Sequence, residues 1–322
     1  MIQNMKYIYL DWNVIQYMKH ENVEKKGKEF KELVKKISNK YIFPYAEGHL
    51  RDLAVSNNEV YIQEDLAFLK DISNNYCLGL DDNEKIICLQ DYIDVKQFFS
   101  DIKKVVKEEE NTTIELNFQI TNNYNIAVEQ IDEKNLFQPF LEKNNGVLDS
   151  KVFADFIMML SLNMNNPDYY KKFREEVYNI KNNFENTPNS MLNQESNYFI
   201  KLLPFLNFIV ENNLENIKNN FNKTMISFLS IDNRVIENLT IGAKIDLVYS
   251  LLDFNQNFRD EINKKKKPSN ILRDMKHLYF AREAKYYITE DDMTYKKSKF
   301  VCDFLHLKVK ILKMNEFTNK FS

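Results

Sequence analysis

The first apolar run of the chain, residues 6–10, is short and unbroken and closes on Asp11, the pattern of a buried strand. Apolar residues then recur at helical spacing over 12–20 and over 24–38, where Phe30, Leu33, Val34 and Ile37 share a face. A second short strand is predicted at 41–43. Pro44 suits the first turn of the helix after it, whose buried stripe is Ala46, Leu50 and Leu53. A helix over 60–72 precedes a predicted hairpin across 76–90, turning through Asp81, Asp82 and Asn83.

From 95 to 264 the pattern changes. Strand-like runs become scarce and amphipathic helices follow one another, the first with Phe98, Phe99, Ile102, Val105 and Val106 on one face. Pro167 and Pro188 mark breaks, and Pro204 is expected to kink the apolar helix around it. After the lysine run 264–267 and Pro268 the alternation returns: helix 270–284, strand 285–289, helix 296–306, strand 307–313. The pattern predicts an α/β domain with a mainly parallel sheet, in halves 1–94 and 265–322, interrupted by a large α-helical insertion, 95–264.

Composition narrows this picture. A chain of 322 residues holds one large domain or two ordinary ones. With only 5 Gly and 6 Pro it does not read as a turn-rich sandwich or barrel. Cys77, Cys88 and Cys302 are an odd number without zinc-like spacing, which points to reduced thiols and a cytoplasmic protein. No leader-like opening and no uncharged apolar stretch of bilayer length appears, so no membrane association is expected. The net charge of −3 supplies no overall basic footprint, so any contact with nucleic acid has to be local. Neither a phosphate-binding Gly-rich loop nor a Gly-x-Ser-x-Gly elbow occurs.

Candidate chemistry lies in the acidic residues. Asp11 follows the first strand, with Asn13 two residues on; Asp274 lies on a helix before Ala281; Thr289, Asp291 and Asp292 follow the strand at 285–289. Strand ends in a parallel sheet gather on one edge, and carboxylates brought together there call for a cation. Mg²⁺ or Mn²⁺, which prefer oxygen ligands, would serve. Taken singly, Asp11 also suits a helix cap, and Asp274 and Asp291 suit a solvated helix and a loop. The helix after 41–43 carries two carboxylates, Glu47 and Asp52. On a helical wheel His49 and Asp52 flank the buried stripe while Glu47 lies opposite, beside Arg51. Asp52 is therefore preferred, with Glu47 the alternative should the helix start late. His49 and His277 each stand three residues from a carboxylate, as supports for a ligand, phosphate contacts or ordinary polar helix positions.

This order of motifs resembles the PIN-domain nucleases, over residues 1–75 and 268–322. Asp11 matches the family's first acidic position and Asn13 the Asn that often follows. Asp274 and Ala281 match its helical Asp and small residue, and Thr289 with Asp291 its Thr-x-Asp strand end. The resemblance implies a PIN-like three-layer fold and a metal-dependent nuclease, with RNA favoured over DNA, acting as a toxin or in defence against foreign genetic elements. It implies Asp11, Asp52, Asp274 and Asp291 as catalytic metal ligands and Asp292 as an outer ligand, with Asn13 and Thr289 orienting them. The competing reading is a degenerate PIN-like scaffold that binds RNA or protein. The helical insertion would wall the cleft, contact an inhibitor or partner protein, or make a homo-oligomer.

Overall fold

The computed structural model describes residues 6–111, 124–125, 136, 138–185, 196–230 and 234–321. Its first strand, β1 (Ile8–Leu10), is wholly buried, and Asp11 ends it by capping α1 (Trp12–Lys19). α2 (Gly27–Ile37) lays Phe30, Val34 and Ile37 on the core. The segment 42–45 then runs beside β1: the Ile8 N–H donates to the Ile42 carbonyl at 2.9 Å, and Tyr7 and Ile42 form a parallel bridge. Pro44, expected in the first turn of a helix, belongs to this segment instead. A proline disfavours helical backbone in the residue before it, here Phe43, and α3 (Glu47–Ala54) begins only afterwards.

α4 (Glu59–Ser73) leads into the hairpin of β2 (Tyr76–Leu80) and β3 (Ile86–Gln90). Its turn is fixed by Asp81, whose carboxylate accepts from the Asn83 and Lys85 N–H groups at 2.9 Å each. Tyr45 bridges Cys77 in parallel, which joins the hairpin to the segment 42–45. α5 (Val95–Asn111) buries Val95, Phe99 and Ile102 in the same core as β1, while Val105 is 38 % exposed.

A second compact unit comprises the described residues from 124 to Thr240, and Ser250–Asn270. It holds a short antiparallel pair, β4 (Tyr124–Asn125) with β5 (Val147–Leu148). Its helices are α6 (Gln138–Lys143), α7 (Ser150–Asn163), α8 (Pro167–Glu185), α9 (Ser196–Val210) and α10 (Leu214–Leu229). Pro167 opens α8, where its missing N–H costs nothing, and Pro204 sits inside α9. Pro188 lies outside the described residues.

α11 (Ile241–Leu252) returns to the first unit through Tyr249. There follow α12 (Ser269–Ala281), β6 (Tyr286–Ile288), α13 (Asp292–Phe304), β7 (Lys310–Leu312) and α14 (Met314–Phe321). The first unit takes the described residues through Asn111, Ile241–Tyr249 and the chain from Ile271 on. α5 thus packs with the α/β core through Val95, Phe99 and Ile102, and Ile241–Tyr249 of α11 groups with the same unit.

The protein is mixed α/β and mostly helical, around a parallel three-stranded sheet in the order β1-β6-β7. Ile8, Tyr9 and Leu10 pair with Tyr286, Tyr287 and Ile288, which pair in turn with Lys310, Ile311 and Leu312. The chain leaves β1 on one side for segment 42–45 and β2, and returns on the other side for β6 and β7. Strand order therefore reverses at β1. Alternate side chains divide the two faces: Ile8, Leu10, Tyr286 and Ile288 join Val14, Met18, Phe30, Leu66 and Phe317 in the apolar core. Tyr9 and Tyr287 point to the other face, their rings 5.7 Å apart. Among the described residues no helix is long and apolar enough to cross a membrane.

Candidate active site

Asp11 stands at the carboxyl end of β1 and is only 4 % exposed. Its Oδ1 accepts from the Trp12 N–H at 2.8 Å, so the capping role read from the sequence is real. Its Oδ2 accepts from Asn13 Nδ2 at 2.9 Å and from Thr289 Oγ1 at 2.5 Å. Thr289 ends β6, so this last bond crosses from one strand end to the next. Asn13 makes a second crossing, its Oδ1 accepting from the Glu290 N–H at 3.2 Å. Both residues serve to fasten Asp11 where β1 meets β6, which is where open α/β sheets bind ligands.

α3 and α12 complete the group. Asp52, its side chain 18 % exposed, receives His277 Nε2 at 2.8 Å on Oδ2 and Arg273 Nε at 3.0 Å on Oδ1. His277 is fully buried and its Nε2 also lies 3.8 Å from Asp11 Oδ1. One imidazole therefore stands between both carboxylates. Arg273 is one helical turn from His277, which puts both side chains on the same side of α12. Asp274, half-buried on α12, is close enough for its charge to act on His277 and Tyr287.

The interior behind this edge is polar. Tyr9, His49 and His277 are all fully buried. The Tyr9 hydroxyl lies 2.9 Å from His277 Nδ1 and 3.4 Å from His49 Nδ1. His49 Nδ1 accepts the Ala46 N–H at 3.0 Å, the inward half of a capping box, so the ring hydrogen is on Nε2 and is donated to the Leu10 carbonyl at 2.7 Å. Gly48 leaves room for this: a Cβ there would stand 3.0 Å from His277 Nδ1 and 3.3 Å from the Tyr9 hydroxyl.

Burial dominates the electrostatics, and the partners oppose it unequally. Desolvation raises the Asp11 pKa above the ordinary carboxylate value, although the His277 charge and the Thr289 hydroxyl pull it down. Desolvation would lower His277, but the hydrogen bond to Asp52 and the charges of Asp52, Asp11 and Asp274 outweigh it, and its pKa is raised. His49, buried beside the His277 charge, is pushed down to about 3 and stays neutral.

Asp291 adjoins this edge, its N–H donating to Thr289 Oγ1 at 3.3 Å. Asp291 is half-buried and caps α13, accepting from the Thr294 N–H at 2.8 Å. The Asp292 side chain is 96 % exposed and pairs with Lys313 at 2.9 Å, an outward placement. Glu47 does open a late-starting helix, but it pairs with Arg51 at 2.5 Å, and Asp52 is the residue that meets His277. Sequence reasoning passed over Tyr9 and Arg273. The period-two position of Tyr9 and the one-turn spacing of Arg273 from His277 were the available signals.

Among the described residues no three His, Cys, Asp or Glu side chains form a ready cage for a metal ion. The donors nevertheless fit Mg²⁺, which is commonly held by one or two carboxylates with waters and substrate phosphate completing its shell. A carboxylate offers about four lone-pair sites. The bonds described above leave acceptor capacity on Asp11 Oδ1 and on both oxygens of Asp52. No family model, no curated protein and no solved structure matches this chain.

Proposed function

We propose that the chain is a divalent-metal-dependent phosphodiesterase of PIN-like three-layer build, an endoribonuclease. The observation that carries this reading is the meeting of Asp11 and Asp52, from separate elements, at the point where strand order reverses. Asp11 and Asp52 would hold Mg²⁺ or Mn²⁺, with Asp274 and Asp291 ligating directly or through water. The chemistry such an ion supplies when bound is Lewis acidity toward a phosphoryl oxygen and a lowered pKa for water. The chain's own residues do the rest: Thr289 and Asn13 fix Asp11, His277 aims Asp52, and Arg273, 19 % exposed, offers its guanidinium to a phosphate. The preference for RNA and the role as a toxin or in defence rest on the motif resemblance alone.

A degenerate, RNA- or protein-binding scaffold is the second reading. It is favoured by the engagement of each Asp52 oxygen by a protein side chain, Arg273 on one and His277 on the other, which satisfies the carboxylate without metal. Incubating the full chain with end-labelled single-stranded RNA and Mg²⁺ or Mn²⁺ separates the two. Cleavage that stops with chelator and is abolished by Asp11→Asn or Asp52→Asn, with folding intact, is the expected result; such losses correspond to several kcal/mol of barrier. RNA binding without cleavage across both metals would decide for the scaffold.

A further inference from the structure

We propose that Tyr9 and His49 are positioning residues that join the two carboxylate supports into one rigid unit, an inference that rests on the reading of Asp11 and Asp52 as the working pair. The geometry has two outputs. His49 Nε2–H holds the Leu10 carbonyl, immediately before Asp11, at 2.7 Å. His277 holds Asp52 at 2.8 Å. Between them stands the Tyr9 hydroxyl, within 2.9 Å of one imidazole and 3.4 Å of the other. The rings are themselves in contact, with centroids 5.0 Å apart for His49 and His277 and 4.9 Å for Tyr9 and His49.

This is more than the core of an α/β unit needs. A hydroxyl and two imidazoles buried in the middle of a domain cost desolvation that apolar side chains would not. The neighbouring face of the same sheet is filled by Ile8, Leu10 and Ile288 instead. The polar set occurs on the side that carries Asp52. Because His49 Nδ1 already takes the Ala46 N–H, the orientation of that ring is fixed by backbone at both nitrogens. The Tyr9 ring packs on that fixed imidazole and its hydroxyl meets His277 Nδ1, while the far nitrogen of His277 holds Asp52. Outer partners of this kind orient ligands without touching the metal or substrate.

The test uses Tyr9→Phe, which keeps the ring and removes the hydroxyl. His49→Gln provides a second variant: a Gln at this helix position can still accept the Ala46 N–H, but the donation to Leu10 is altered. Two-bond ¹H–¹⁵N spectra of the histidine rings and the ¹³C signal of the Asp52 carboxyl are recorded on the metal-free full chain. Mn²⁺ dependence, kcat and KM for RNA are measured alongside. The expected result is a shift of the His277 and Asp52 signals and a rise of roughly tenfold to a hundredfold in the Mn²⁺ concentration for half-maximal rate, with KM for RNA unchanged. If only the melting temperature moves, in either variant, and the Asp52 signal and Mn²⁺ dependence do not, the residues are merely structural. Should the wild-type chain cut no RNA, the spectra still decide this proposal, so its failure and that of the nuclease reading remain distinguishable.

Discussion

Both compact units bury an acid–base network, and the two are built to opposite ends. In the helical unit Asp253 is completely buried and takes Arg174 Nη1 at 2.9 Å and the Tyr170 hydroxyl at 2.8 Å on one oxygen, and the Asp260 N–H at 2.9 Å on the other. The side-chain exposures of Arg174 and Asp253 are 8 % and 0 %. In the α/β unit the comparable pair, Arg273 and Asp52, keeps 19 % and 18 %. Breaking a sealed ion pair leaves an uncompensated charge in the interior, which is strongly destabilising. An open one at a sheet edge has room for a ligand. The difference between the networks is therefore access to solvent, and it separates a structural charge from one that can work.

The comparison is broken most severely by Asp253→Ala. It strands the Arg174 charge in the interior, so denaturant unfolding should show a loss of about 3–5 kcal/mol. Site variants at the sheet edge should lose far less. A mild effect of Asp253→Ala would mean that the helical network is not sealed.

The next effect is a pH dependence. His49 is held at about 3 against an ordinary value of 6.5, so the folded state resists its protonation and the unfolded state does not. A depressed pKa contributes stability that is present above the unfolded value and lost as pH falls through the folded one. Melting should therefore deteriorate from about pH 6.5 downward, by on the order of 5 kcal/mol when complete. His49→Gln should flatten that portion of the profile. An unchanged profile in the variant would assign the acid sensitivity to other groups.

The smallest effect is expected at the open pair. Arg273→Met should cost only about 1 kcal/mol or less in stability, because solvent screens a partly exposed ion pair. Its effect should fall on RNA binding instead, visible as a raised KM. A large stability loss with unchanged KM would show that this pair too is structural.

Much of the site was legible because it lies at strand ends. The closing of an apolar run on Asp11, and the Thr289 that follows another, mark an edge whatever the tertiary details. The wheel that put Asp52 and His49 beside the buried stripe also indicated the carboxylate that meets His277. What remained hidden depended on contacts between distant parts of the chain. The strand at 41–43 was legible, but its extension past Pro44 to Tyr45 was not, because it rests on the bridge of Tyr45 to the distant Cys77. The assignment of α5 likewise follows from Val95, Phe99 and Ile102 completing a core laid down by β1 and its helices. Tyr9 and Arg273 were passed over because aromatic and basic residues at such positions ordinarily pack or solvate. Their meaning appears only when β1, α3 and α12 converge.

In the proposed function Asp11 and Asp52 form the working edge for a hard divalent cation. Titrating Mn²⁺ into the metal-free full chain, followed by electron paramagnetic resonance of the free ion, tests it most directly. Saturable, stoichiometric binding is expected, lost in Asp11→Asn while circular dichroism stays unchanged. Absence of saturable binding in the wild-type chain, or equal binding in Asp11→Asn, would contradict it.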